Sequence, residues 1–532
     1  MIKKLFSIPL IVLCMVSCNG PEEQIEGAYY AGDFHQHTTY SGGEYSIGHV
    51  MQADYKYGLD WWSNSDHGGV RELWGKVSGL DYGSKVTWQN AGIKLMGMPA
   101  TGEDAGFMWR WQCLKYYNFE DILLWRKVYP DRLILQAFEW NVPGHEHANI
   151  SIIANQFDSI NPNCDPVAQF EYMFDDDDLD TTGGKQLGWI KSRKSGKEKA
   201  LEAAHWLQQN YAGKAYVIES HPDKSGRYGI SDFRNFNNAA PDVFFGFDGM
   251  PGHQKNVVRG GYDLDGETVG VTGYNGKQGA TFGGAGVFMS QIGGLWDALL
   301  SEGRHWWISA SSDYHDDEDF YPGEYQKTYT FMKKKNDPQA LIDALRSGNT
   351  FISTGGLITS INFRVEGSTM GETAETTKDK VRIEISVLDP ETSNFNTYSD
   401  YVNPKLDHID LIAGVVTEKI SPESPDYSKD NVSTTKVIAR FDTNGGVKDS
   451  NGIISQKWND SGDGWKKMTY EAEFTGNMYL RLRGTNHPLN TADEVDGAGN
   501  PLPDIAGGNT PSRAFSDLWF YSNPVFVKKV SK

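Results

Sequence analysis

Cysteine is scarce in this chain, with four residues among 532. So few cysteines exclude a small scaffold built on disulfides, and the lack of any C-x-x-C pair excludes a cysteine-rich zinc domain. Two of the four, Cys14 and Cys18, lie near the start of the chain. The other two, Cys113 and Cys164, are equally compatible with one disulfide bond and with two free thiols.

Positive charge is also in short supply, with 50 Lys and Arg residues against 70 Asp and Glu residues and a formal net charge of −20. So acidic a chain repels a phosphate backbone, which argues against nucleic acid as a partner. Aromatic residues make up 13% of the sequence, and this much apolar area argues against disorder. The length is sufficient for two or three domains.

Long apolar runs are missing as well, because the run at residues 5–16 is too short to span a membrane comfortably. It comes after two lysines and ends with a small residue before Cys18, which resembles the lipidation signal of bacterial lipoproteins. We predict a signal peptide at 1–17, lipidation of Cys18 and a tether at 18–28, with an ordinary secretory signal as the alternative. The protein would then belong to the bacterial cell envelope, on the periplasmic or surface face of the outer membrane. It would contact the membrane only through its N-terminal lipid.

Two patterns divide the rest of the chain. From residue 29 to 356, short apolar runs alternate with helical patterns, which is typical of an α/β domain with a parallel sheet. The clearest helix signature has Asp337 as the cap, Pro338 in the first turn and Gly348 after the end. From 357 to 532, short alternating runs separated by turn residues predict an antiparallel β-sandwich.

Three segments interrupt these patterns. Glycine-rich insertions at about 74–117 and 260–294 are expected to be loops, which often form the rim of a site. The acidic run at 175–178 is interpreted as a solvated loop, with a calcium site as the alternative.

Histidines and carboxylates recur where strands of the α/β domain should end. His35 and His37 are two residues apart, so on a strand both imidazoles can reach one metal ion. The whole set consists of His35, His37, Asp66, His67, Glu139, His147, His221, Asp313 and His315. A nitrogen and oxygen donor set without thiolate favours Zn, Mn or Fe. Its convergence at one end of an α/β domain is typical of catalytic metals in barrel folds.

The order of these motifs, HxH, DH, E, H, HP and DxH, resembles the signature of the polymerase-and-histidinol-phosphatase (PHP) superfamily of metallohydrolases. Residues 344–355 and parts of the C-terminal region are similar to its carbaryl-hydrolase-like branch. The resemblance implies a distorted seven-stranded (βα) barrel with two or three divalent metal ions at the carboxyl ends of its strands. In this chain the antiparallel β-sandwich comes after the barrel.

The resemblance also implies a role for each donor. One metal ion would be surrounded by His35, His37, Glu139 and Asp313. Glu139 would bridge to a second ion held by His147 and His221, and the remaining position would be served by His67 and His315. Asp66 is expected to orient His67 or to take a proton, and it is assigned with Asp313 to the catalytic step.

One departure from the family concerns the third metal position. Many members have Ser-Asp-Gly after the HxH motif, whereas this chain has Ser41, Gly42 and Gly43. Gly42 offers no ligand, and Glu44 is the expected substitute. A two-metal site is therefore expected, and a third metal depends on another donor.

The substrate contacts are expected in the loops after later strands. Arg227, His253 and Arg259 lie there and would bind an anionic group. The predicted function is metal-dependent hydrolysis of phosphate mono- or diesters by metal-activated water, on a small-molecule or glycan-linked ester. One alternative is hydrolysis of a carboxyl ester, carbamate or lactone at the same metals. The other is a non-catalytic, glycan-binding surface lipoprotein.

Overall fold

The computed structural model describes residues 27–71, 108–158, 165–256, 259–261, 281–392, 394–398, 404–504 and 511–531. The predicted signal peptide, Cys18 and Cys164 lie outside these residues, so the lipid anchor and the disulfide stay predictions. The Cys113 side chain is buried. Within the described residues, no helix has the length and apolar character needed to cross a membrane.

The N-terminal part of the chain alternates strands and helices. Its strands are β1 (Ala28–Asp33), β2 (Trp61–Asn64), β3 (Val70–Arg71), β4 (Met108–Trp109), β5 (Leu133–Gln136), β6 (Phe138–Asn141), β7 (His147–Ile152), β8 (Ala215–Glu219), β9 (Phe244–Met250), β10 (Trp307–Ala310), β11 (Gln326–Met332) and β12 (Thr350–Thr354). Its helices are α1 (Ile47–Lys56), α2 (Arg110–Cys113), α3 (Phe119–Val128), α4 (Asp165–Phe174), α5 (Gly196–Tyr211), α6 (Ile230–Ala239), α7 (Val287–Ser290), α8 (Leu295–Leu300) and α9 (Pro338–Ser347). The prediction of a mixed α/β part is confirmed.

Helix α9 begins and ends as its sequence predicts. The Asp337 carboxylate accepts hydrogen bonds from the backbone N of Gln339 at 3.0 Å and of Ala340 at 3.3 Å. These bonds satisfy two donors that have no partner within the helix. Gly348 ends the helix with a φ of 77°, a conformation that favours glycine.

Two larger sheets carry all the N-terminal strands except β3 and β4, which pair with each other. One has the order β10-β9-β8-β7-β6, and the other includes β5-β2-β1-β11-β12. Strands β1, β2 and β5 are parallel neighbours, as are β8, β9 and β10. Because parallel strands end at the same edge, the segments beyond their ends converge on one face of this part of the fold.

The C-terminal part is rich in strands. These are β13 (Ser360–Val365), β14 (Thr373–Thr376), β15 (Lys380–Leu388), β16 (His408–Val415), β17 (Lys436–Asp442), β18 (Gln456–Lys457), β19 (Asn459–Asp460), β20 (Trp465–Glu473), β21 (Met478–Thr485), β22 (Trp519–Ser522) and β23 (Val525–Lys529). The described residues of this part also include a short α-helix, α10 (Pro511–Ser516). Side chains of β15 alternate between buried and more exposed positions, which is the period of a strand with one face on a core. The prediction of a β-rich C-terminal part is confirmed.

The two parts of the chain share a sheet. Strand β22 pairs antiparallel with β12, with Phe351 opposite Ser522, so one sheet of 12 strands runs through both parts. In addition, the Arg481 guanidinium donates two hydrogen bonds of 2.9 Å to the Asp297 carboxylate, and both side chains are buried. The two parts on either side of the boundary predicted between residues 356 and 357 are therefore joined by a continuous sheet and by a buried ion pair.

The acidic run at 175–178 is not a fully solvated loop. Asp175 and Asp178 are buried, and the nearby Glu171 is buried as well. Asp175 accepts hydrogen bonds from Asn141, and Glu171 accepts one of 2.7 Å from the backbone N of Gly69. Burial raises the pKa of Asp175 to about 7 and the pKa of Asp178 to about 6. The pKa of Glu171 is raised well above its usual range by burial and by the negative charges of these two aspartates.

The substitution Glu171→Gln is expected to stabilise the protein more at pH 8 than at pH 5. Folding raises the pKa of Glu171, so the wild-type protein loses stability as the pH rises above the pKa of the unfolded chain. The protonated Glu171 carboxyl donates a hydrogen bond to Asp178, and a glutamine amide at this position would donate one at any pH. We therefore expect a gain of about 1–3 kcal/mol in the free energy of unfolding at pH 8. Urea unfolding at both pH values measures it, with the exposed Glu198→Gln as the matched control. An equal effect at the two pH values would contradict a protonated Glu171.

Candidate metal centre

The predicted donors come from strand ends and from the segments beyond them. They are His35 and His37 after β1, His67 after β2, Glu139 in β6, His147 at the start of β7, His221 after β8, and Asp313 and His315 after β10. Backbone bridges bring these segments together, because Gln36 pairs with Tyr314 and His67 pairs with Glu139. The structure therefore places all eight predicted metal ligands in one region.

Hydrogen bonds and backbone strain shape the loops of this region. The buried Asp33 carboxylate accepts from the backbone N of His35 at 2.9 Å and of Ser312 at 3.0 Å, which joins the exits of β1 and β10. His221 and Asp313 have φ values of 30° and 46°. Left-handed backbone at residues other than glycine costs about 1–3 kcal/mol each and concentrates at functional sites.

Four buried side chains form the first donor group. His35 Nε2 lies 3.1 Å from Glu139 Oε1 and 3.0 Å from Asp313 Oδ1. His37 Nε2 lies 3.3 Å from Glu139 Oε2 and 3.1 Å from Asp313 Oδ1. The two histidine Nε2 atoms are 3.1 Å apart.

Glu139 also connects this group to a second one. Its Oε1 lies 3.3 Å from His147 Nδ1 and 3.4 Å from His221 Nε2. Its Oε2 lies 3.0 Å from His67 Nδ1. One carboxylate is thus shared by imidazoles from both groups, which is the arrangement expected of a ligand that bridges two metal ions.

The donor spacing fits metal ions. Ligands about 2.1 Å from one ion lie about 3.0–3.4 Å from each other in octahedral or tetrahedral geometry, and the distances in both groups fall in this range. Glu139 Oε1 and His147 Nδ1 are buried and lie 3.3 Å apart, yet neither makes a hydrogen bond of good geometry, as expected of two donors that share a metal ion. The residues present therefore fit a centre of at least two divalent cations.

The charge state of the carboxylates supports the same assignment. Burial raises the pKa of Glu139 and Asp313, but the surrounding imidazoles, His35 foremost, outweigh this and hold the pKa of both carboxyls well below the usual range. Both groups are therefore ionised at neutral pH. Two buried negative charges need nearby positive charge, which protonated imidazoles or bound divalent cations supply.

Asp66, a residue that the sequence assigns to catalysis, holds the loop that carries His37. Its oxygens accept hydrogen bonds from the backbone N and the hydroxyl of Thr38, both at 2.8 Å, and from the Ser41 hydroxyl at 2.6 Å. Ser41 Oγ in turn lies 3.2 Å from His37 Nδ1. Asp66 therefore orients His37 through Ser41, whereas the sequence predicts this role toward His67.

The three predicted substrate contacts lie in different places. Arg259 is buried and bonded to Asp504 and Asp517 of the C-terminal part, so it is not available to a substrate. Arg227 is 56% exposed and lies 3.7 Å from a carboxylate oxygen of Glu146. His253 enters the metal centre itself, with Nε2 3.0 Å from Asp313 Oδ2.

An open cavity of about 360 Å³ lies over the donors. Besides metal ligands, its lining includes Lys224, Asn256, Glu146, Asp316 and Glu318. The sequence does not single out Lys224, although it lies three residues after His221, because isolated surface lysines are common. Among the described lining residues, it is the one Lys or Arg.

Comparisons with known proteins add little to this geometry. No protein-family model and no curated protein matches the chain. Among solved structures, the chain is similar to a two-domain protein from Bacteroides vulgatus described as containing a predicted PHP-like metal-dependent phosphoesterase. The identity is 11%, the match covers 90% of this chain and 94% of that chain, and the TM-score is 0.32. The functional assignment therefore rests on the geometry of the metal centre.

The substitution Glu139→Gln is expected to remove at least one bound divalent ion per chain, because the amide cannot bridge two cations as a carboxylate can. Elemental analysis of protein purified without chelator measures the loss. The exposed Glu120→Gln is the matched control and should keep the wild-type metal content. Equal metal content in the two variants would show that Glu139 is not a shared ligand.

Proposed function

We propose that this protein is a metal-dependent hydrolase of phosphate mono- or diesters, held at the cell envelope by a lipid on Cys18. The observation that carries the proposal is the sharing of Glu139 between two groups of histidine donors beneath an open cavity. The donors suit Zn, Mn or Fe. We further propose that the strands around the site form a distorted barrel and that the C-terminal strands form a sandwich.

The chain's own residues prepare the site for this reaction. Two divalent cations, when bound, lower the pKa of water and stabilise negative charge on a phosphoryl group. Glu139 and Asp313 would hold the cations as ionised carboxylates. The Ser41 hydroxyl holds the His37 ring in place through the Nδ1 atom of His37. Lys224 lies on the cavity wall, where its ammonium group can bind a phosphate oxygen.

Hydrolysis of a carboxyl ester, carbamate or lactone is the second candidate. It is favoured by the carboxylates of Glu146, Asp316 and Glu318 in the cavity lining, which repel a substrate carrying several negative charges. A phosphodiester with an uncharged substituent would meet less repulsion than a doubly charged monoester.

Soluble protein beginning after Cys18 tests the proposal. Bound Zn, Mn and Fe are quantified, and the same sample is assayed on p-nitrophenyl phosphate, bis-p-nitrophenyl phosphate and p-nitrophenyl acetate. Phosphoester turnover that is lost in Glu139→Gln supports the proposal. Turnover of the acetate alone would replace it with the carboxyl-ester alternative. Absence of both metal and turnover would favour the non-catalytic, glycan-binding alternative.

The substitution Lys224→Met is expected to raise KM for the phosphodiester by about 10-fold or more, since a hydrogen bond to a charged group contributes about 1.5–3 kcal/mol. Turnover of p-nitrophenyl acetate should change little, because this substrate carries no charge. The exposed Lys194→Met, outside the cavity lining, controls for loss of surface charge. An equal rise in KM for both substrates would contradict a role for Lys224 in binding the anion.

A further inference from the structure

The structure does not place the Glu44 side chain at the expected third metal position. The Glu44 side chain is exposed, and the backbone N of this residue donates to the His315 carbonyl at 2.9 Å. Gly42 lines the cavity beside His315, and a Cβ atom on Gly42 would lie 3.4 Å from the His315 ring. Gly42 therefore offers no side-chain donor next to His315, and Glu44 is not among the residues that line the cavity.

His253 reaches the same space from the loop after β9. Its ring centroid lies 5.5 Å from that of His315, and its Nε2 lies 3.0 Å from Asp313 Oδ2. A Cβ atom on Gly252 would lie 2.1 Å from the Ser312 carbonyl oxygen, so this loop can pack against residue 312 only because position 252 is glycine. The φ of 58° at His253 turns the chain at this point.

Asp319 orients His253 in the way that a carboxylate usually orients a metal-binding histidine, by accepting a hydrogen bond from the other ring nitrogen. Its Oδ1 lies 2.7 Å from His253 Nδ1, and its Oδ2 accepts a hydrogen bond of 2.9 Å from the His315 backbone N. A proton on His253 Nδ1 leaves the Nε2 lone pair facing an oxygen of Asp313. Two acceptors at 3.0 Å need a cation or a proton between them.

His315 is prepared in a similar way. Its Nδ1 lies 2.9 Å from the backbone carbonyl oxygen of Asp313, which can accept a hydrogen bond from a protonated Nδ1 and so leave the Nε2 lone pair available. Donor atoms of His253, His315 and Asp319 all lie within 4.8 Å of one another. The side chains of His253 and His315 are 19% and 24% exposed, whereas those of His35 and His37 are 0% exposed.

We propose that His253 is the donor that completes a third divalent-cation position, together with His315 and the shared carboxylate of Asp313, and that Asp319 positions His253. The proposal deepens the proposed function, because it assumes the metal centre on which that function rests. It reassigns His253 from substrate binding to metal binding, and it pairs His315 with His253, whereas the family resemblance pairs His315 with His67. The third ion is expected to bind more weakly than the first two, since its donors are more exposed to water.

Titration of metal-free protein with Mn²⁺, monitored by calorimetry and elemental analysis, tests the proposal without an activity assay. The wild-type protein should bind two ions tightly and a third more weakly. His253→Ala should lose the third ion, and Asp319→Asn should weaken its binding by about 10–100-fold. The exposed His205→Ala is the matched control and should bind as the wild type does.

A rescue variant separates loss of a ligand from loss of the fold. Gly42→Asp in the His253→Ala background supplies a carboxylate beside His315 and should restore the third ion. Two bound ions in the wild type, or a third ion that persists in His253→Ala, would overturn the proposal and show that His253 only pairs with Asp313 and Asp319. A His253-dependent third ion without ester turnover would instead leave this proposal standing and refute the proposed function.

Discussion

The structure of the site depends on the neutralisation of two buried carboxylates, those of Glu139 and Asp313. Both are removed from water, and the surrounding imidazoles hold the pKa of both carboxyls well below the usual range, so both are ionised. Protons satisfy such contacts one pair at a time, whereas a cation satisfies several at once. The histidines around Glu139 therefore fit the role of metal ligands better than the role of ordinary core side chains.

The fold supplies the rigidity that this arrangement requires. Parallel strands bring their carboxyl ends to one edge, and the loops beyond them are tied by Asp33 and by backbone bridges. The C-terminal part braces the same framework, because β22 extends the sheet that contains β1 and β2, and Arg259 is bonded to Asp517 across the two parts. Such bracing can hold His221, His253 and Asp313 in left-handed backbone conformations that they would otherwise avoid.

Charge divides the cavity into two regions. The base collects imidazoles and shared carboxylates that suit cations, and the wall carries Glu146, Asp316 and Glu318. When the negative group of a substrate reaches the metal ligands, the rest of the substrate lies near these three acidic residues. Lys224 is the positively charged side chain in the same lining. This polarity agrees with the proposed phosphodiester substrate, which meets less repulsion than a doubly charged monoester.

The sequence by itself identified eight of the side chains that converge at the site, because imidazole and carboxylate pairs at strand ends carry their chemistry in their identity and spacing. It also determined the cap and end of α9 and the β-rich character of the C-terminal part, which depend on neighbours a few residues apart. Only the tertiary structure showed that Arg259 is buried in an ion pair, that Asp175 and Asp178 are buried, and that His253 lies beside Asp313. Each of these outcomes depends on partners that lie far away in the chain, and local patterns contain no information about which distant charges will meet.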